Sequence, residues 1–92
     1  MEYIIPFYIY IVYNTFQEQN MSQIKIKIHA DQDYIELGNL LKVAGIIDTG
    51  GYAKVFLIEN EVYVNGERDT RRGRKVRRGD LVKVSKQEIV VE

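Results

Sequence analysis

Cysteine is absent from this 92-residue chain, which excludes disulfides and thiolate metal sites. That absence suits a reducing cytoplasm, the expected location. Histidine occurs once, as His29, so neither a histidine-based metal cluster nor a histidine-centred hydrolase triad is expected. Long apolar runs are also missing. The longest, residues 3–13, spans 11 positions and contains Pro6, the only proline, whereas a membrane-spanning helix needs about 20 residues. The start is neither basic nor followed by a small-residue cleavage site, as a secretory signal would require. The glycine-rich signature that cradles ATP phosphates is absent. Asp31 and Asp33, and Glu59 and Glu61, are carboxylates two positions apart, a common spacing, and no lysine, histidine or serine partner completes a catalytic set. No catalytic residue, metal, cofactor, small-molecule substrate or membrane partner is expected.

Net charge is zero too, with 13 Lys and Arg against 13 Asp and Glu, but the balance is uneven along the chain. Residues 68–86 hold nine cations and two acids (Asp69 and Asp80), a local charge of +7, which leaves −7 on the rest. Seven of the cations fall in the eleven positions from 68 to 78. A solvated basic loop would give such a run, and so would a surface for a polyanion.

Composition divides the chain in two. Residues 1–20 carry only Glu2 and Glu18 as charges and are rich in Ile and Tyr. They are expected to be an upstream extension, non-native or disordered, with Met21 as the true start. Residues 21–92 are expected to form one small domain, with little surface to bury and no deep cleft. Residues 23–28 alternate, with Ile24, Ile26 and Ile28 on one face, as a half-buried strand does. Leu37, Leu40, Leu41 and Ala44 form a helical stripe that Gly45 ends. Gly38, inside that stripe, costs helix stability of order 1 kcal/mol and would permit close packing.

Thr49 is placed to cap a second helix with its hydroxyl. Ala53, Phe56 and Leu57 are that helix's buried stripe, and Asn60 is expected to end it in the left-handed conformation. Val62 and Val64 then share one strand face ahead of an Asn65-Gly66 turn. An irregular basic segment broken by Gly73 follows, then a Gly79-Asp80 turn, a strand at Leu81–Val84 and a last strand at residues 88–91. The fold class is α+β, a helical hairpin packed on a small, mainly antiparallel sheet.

Thr49, Ala53, Phe56, Leu57, Val62, Val64, Asn65, Gly66, Gly79 and Asp80 stand at the spacings of a known pattern. The core motif, residues 37–84, resembles the S-four RNA-binding domain, named after ribosomal small-subunit protein four. "DTGGYAK" and "RRGRK" are similar to the small stand-alone YaaA-type proteins of bacteria. The chain departs from the pattern at Gly50, where many members carry an arginine, and at Glu36, where stand-alone relatives tend to carry threonine. The resemblance implies an alpha-L-type RNA-binding fold, structured RNA as partner, and ribosomal RNA or a ribosomal subunit during assembly as its setting.

The expected RNA-binding residues are Thr49, Gly50, Gly51 and Lys54 at the second helix start, and Arg71, Arg72, Arg74, Lys75 and Arg77 in the basic segment. Two adjacent glycines at a helix start let a phosphate approach unpaired N–H groups; they would equally make a flexible start. Guanidinium forks suit phosphates, and duplex RNA presents backbone shape more readily than base edges. Tyr52 and Tyr63 could stack on a base or cover the core. Two alternatives stay open: a protein-interaction adaptor using the basic loop, and duplex DNA binding.

Overall fold

A computed structural model describes residues 22–92 of the chain. The expectations for residues 1–20 and for Met21 as the start lie outside the described residues. In chain order the elements are β1 (Ser22–Ile26), β2 (Tyr34–Glu36), α1 (Leu37–Val43), a 3-10 turn (Gly50–Tyr52), α2 (Ala53–Glu59), β3 (Val62–Val64), β4 (Glu67–Arg68), β5 (Lys75–Arg77), β6 (Leu81–Val84) and β7 (Gln87–Val91).

Five strands form one sheet in the order β1-β7-β6-β3-β4. Its pairs are antiparallel except β1 with β7, which run parallel. A parallel pair needs a long crossover, and here everything between the two strands supplies it. The chain is therefore α+β with a mainly antiparallel sheet, as expected. A second ribbon pairs β2 with β5, Tyr34 opposite Arg77 and Glu36 opposite Lys75.

Both hairpins of the main sheet use two-residue turns. Asn65 and Gly66 join β3 to β4 with φ of 52° and 88°. Both angles are positive, as the turn that follows strand twist requires, and Asn and Gly tolerate them best. Ser85, at φ 54°, begins the turn from β6 to β7. The Asn-Gly and Gly-Asp pairs, separate signals in the sequence, are bonded to one another. Asn65 Nδ2 donates to Asp80 Oδ1 at 3.1 Å, and Asn65 Oδ1 accepts the Leu81 N–H at 2.9 Å. Asp80 Oδ2 accepts the Arg77 N–H at 2.8 Å. The two turns thus close the ends of the basic segment against each other.

Alternation along the strands and the helical stripes send their apolar sides into one core. Ile24, Ile26 and Ile28 are buried together with Leu37, Leu40, Leu41, Ala53, Leu57 and the inward valines of β3 and β6. Val76 of β5 is also fully buried, although the basic segment reads as irregular in the sequence. The segment forms strands because Lys75, Val76 and Arg77 alternate, with Val76 pointing inward.

Two helix-end expectations are corrected. Thr49 makes no side-chain cap; its backbone carbonyl accepts the Tyr52 N–H at 3.2 Å, because Gly50–Tyr52 form a tight 3-10 turn before α2. Asn60 is extended, at φ −127° and ψ 154°, not left-handed. Its side-chain and backbone N–H groups both donate to the Phe56 carbonyl, at 3.1 and 2.9 Å, which satisfies that helix end without a positive φ.

Candidate nucleic-acid interface

The basic segment is held at both flanks and through its middle. Its centre docks on the start of α1. The first-turn N–H groups of Leu37 and Gly38 donate to the carbonyls of Arg74 and Arg72, each at 2.8 Å. Glu36 makes no side-chain cap there, so those carbonyls occupy donors that a helix start otherwise leaves unpaired. Gly38 makes this docking possible. A Cβ at that position would lie 3.0 Å from Ala53 Cβ and 3.2 Å from Arg72 Cβ. The first residue of α2 and the central arginine of the segment therefore meet at one backbone point on α1.

Asp69 organises the loop from within. It is only 7% exposed, the one charged residue buried among the described residues. Its carboxylate accepts the Arg71 N–H at 2.9 Å, Arg71 Nε at 3.0 Å and Arg71 Nη2 at 2.7 Å, and Arg74 Nη1 at 2.8 Å. The side-chain hydrogen bonds from Arg71 are the main reason its carboxyl sits well below the usual carboxylate range; burial opposes this, and the Arg71 N–H and Arg74 reinforce it. The same pairing raises the Arg71 pKa. Arg71 and Arg74 are thus engaged inside the protein, although 70% of the Arg71 side chain and 25% of that of Arg74 meet solvent.

Arg78 is engaged elsewhere. Its guanidinium donates to the carbonyls of Gln32 at 2.7 Å and His29 at 2.6 Å, which ties the β1–β2 connection to the end of β5. Arg72, Lys75 and Arg77 are exposed. Lys75 Nζ lies 5.2 Å and the Arg77 guanidinium carbon 5.7 Å from the centre of the Tyr34 ring, within cation–π range.

The start of α2 forms the other flank. Thr49, Gly51 and Lys54 are exposed and Gly50 is half-buried; no atom lies within 4 Å of where a Gly50 side chain would begin. Arg72 is brought close to this start through Gly38, whereas Lys75 and Arg77 lie along β5. Tyr52 is exposed and its hydroxyl donates to Glu59 at 3.5 Å. Tyr63 is half-buried and donates to Glu61 at 2.7 Å, a bond that raises the pKa of its hydroxyl.

Asp69 and Tyr34 were not among the residues expected from sequence. A lone acid inside a basic run is the signal for the first. The second had only the short Tyr34-Ile35-Glu36 alternation, whose partner strand lies some forty positions downstream. No group of three or more His, Cys, Asp or Glu side chains suited to a metal occurs among the described residues. No described helix is long and apolar enough to cross a membrane.

Comparison with known proteins adds two findings. The sequence pattern of the S4 domain matches residues 26–92. A curated relative, "Probable ribosome maturation protein RlbA" of Bacillus subtilis (strain 168), is 53% identical over 57 residues, which cover 62% of this chain and 80% of the relative.

Proposed function

The chain belongs to the S4 domain family, and on that premise we propose that it binds structured RNA, specifically ribosomal RNA during ribosome maturation, without catalysing a reaction. The observation that carries this is the rigid mounting of Arg72, Lys75 and Arg77. A segment bonded to the α1 start, the Asp80 turn and a buried carboxylate holds its outward cations in fixed relation. Fixed cations match the regular phosphate spacing of a folded RNA, where a mobile basic tail would match any anion.

Within this proposal the residues divide by role. Arg72, Lys75, Arg77 and Lys54 pair with phosphates. Arg71 and Arg74, bonded to Asp69, hold the loop in shape and present what remains of their solvent-facing edges. Gly50 and Gly51 keep the flank beside Lys54 low, so that a backbone phosphate can approach; Thr49 sets the chain direction into that turn. The cytoplasm, where ribosomes mature, is the corresponding location. Neither cofactor nor small-molecule substrate has a part in it.

Titration of ribosomal RNA fragments at several salt concentrations tests the proposal. Four neutralised phosphates give a log–log slope between roughly −2.8 and −3.6. A slope near zero, or equal competition by a matched DNA hairpin lacking 2′-hydroxyls, contradicts it. The adaptor alternative draws on one observation: α2 exposes Val55 and, at 61%, Ile58, which borders the basic loop. A partner retained after ribonuclease treatment would favour that alternative.

A further inference from the structure

The β2–β5 ribbon has two unlike faces. Ile35 and Val76 turn inward, and Val76 is fully buried. Tyr34, Glu36, Lys75 and Arg77 share the outward face, because directly opposed residues of an antiparallel pair lie on the same side. Tyr34 is 36% exposed and carries both cations against its ring. Tyr34 also borders an open groove of about 470 Å³ between the ribbon, the end of β1 and α1. Lys27, Gln32, Glu36 and Asn39 are among the polar residues that line it.

We infer that this groove, with the outer face of the ribbon, is a subsite for one unpaired nucleotide flanking the RNA helix. The base would rest on Tyr34, and its phosphate on Lys75 and Arg77. This rests on the RNA-binding proposal and specifies which RNA feature the domain selects.

Three features favour an unpaired base. Bases inside an A-form helix are closed to an aromatic side chain, whereas a bulged or terminal base can stack on one. Asn39 carries both donors and an acceptor, the equipment for a base edge rather than for a phosphate, and Gln32, whose Oε1 accepts the His29 N–H at 3.3 Å, adds amide donors. Glu36 places a carboxylate at the groove, which offsets the attraction of Lys27 for a phosphate there and accepts from an exocyclic amino group. The phosphate is thereby directed to the cations at the ring. Stacking of a base on an aromatic ring is worth roughly 5- to 150-fold in affinity.

The test uses the full chain and three RNA hairpins of one stem sequence: fully paired, with one bulged nucleotide, and with one 3′-overhanging nucleotide. The wild type should bind at least one unpaired form roughly 5- to 150-fold more tightly than the paired one. Tyr34→Leu should erase that preference, and Tyr34→Phe should keep it. A 2-aminopurine at the unpaired position should be quenched on binding to the wild type, a readout independent of any folding defect in Tyr34→Leu. Equal wild-type affinity for all three hairpins overturns the subsite. So does an equal loss on every hairpin in Tyr34→Leu, which would make Tyr34 only a support for its cations. Failure to bind any hairpin instead overturns the RNA-binding proposal itself.

Discussion

The two halves of the basic segment look alike in composition and differ in what their cations do. In residues 69–74, Arg71 and Arg74 close around one buried carboxylate, and the carbonyls of Arg72 and Arg74 cover the start of α1. In β5, Lys75 and Arg77 lie on the open face of a two-stranded ribbon against an aromatic ring. The first half builds a scaffold and the second displays charge; Arg72 belongs to both, with its backbone docked and its side chain exposed. Charge density alone therefore overstates how many guanidinium groups await a ligand. A cation meets a phosphate only where no internal acceptor has taken it.

Substitutions can break this contrast. The largest stability effect is expected at the scaffold. Asp69→Asn removes the charge that Arg71 and Arg74 share and should lower unfolding free energy by about 1.5–3 kcal/mol, measured by urea denaturation. Lys75→Gln and Arg77→Gln, on the displayed half, should each stay within about 0.5 kcal/mol of the wild type. Equal losses in the two halves would erase the distinction.

Gly38→Ala comes next. Overpacking in a core costs about 1–3 kcal/mol, and the gain in helix propensity returns about 1 kcal/mol. The obstructing atoms, the Cβ atoms of Ala53 and Arg72, are fixed to backbone, and the Arg72 backbone is itself bonded to the Gly38 N–H, so relief by movement is poor. A net destabilisation of about 1 kcal/mol is expected, with weaker RNA binding as Arg72 shifts. A stabilised variant would mean that the docking of loop on helix is looser than described.

Acid provides the smallest and most selective probe. The folded-state pKa of Asp69 is depressed, chiefly by the Arg71 hydrogen bonds. Its stabilising contribution is therefore complete above the unfolded value of about 3.9 and is lost as pH falls below it toward the depressed folded value. Stability of the wild type should decline faster than that of Asp69→Asn between about pH 4 and pH 2. Parallel declines would show that Asp69 is not the group responsible.

Much of the architecture was legible because it depends on local pattern. The β1 alternation, the α1 and α2 stripes and the Asn65-Gly66 turn each follow from residues close in sequence. The ribbon was not legible, since pairing Tyr34 with Arg77 depends on register between distant segments. The division among the arginines was hidden for the same reason. Asp69 sits two and five positions from its partners, but whether a carboxylate is buried or solvated is a property of the packed chain. Thr49 and Asn60 show a different limit. Each residue type suits its helix end, yet a neighbouring turn and an alternative bond to Phe56 satisfied those ends first.

The most direct trial compares the salt dependence of RNA binding in two multiple variants, Arg72→Gln/Lys75→Gln/Arg77→Gln and Arg71→Gln/Arg74→Gln. Loss of three phosphate contacts should make the first variant's log–log slope shallower by about 2–3 with little change in melting temperature. The second should melt lower while its slope changes by less than about 1. If the Arg71 and Arg74 pair instead removes as much of the slope as the outward three, the division between scaffold and displayed cations is wrong.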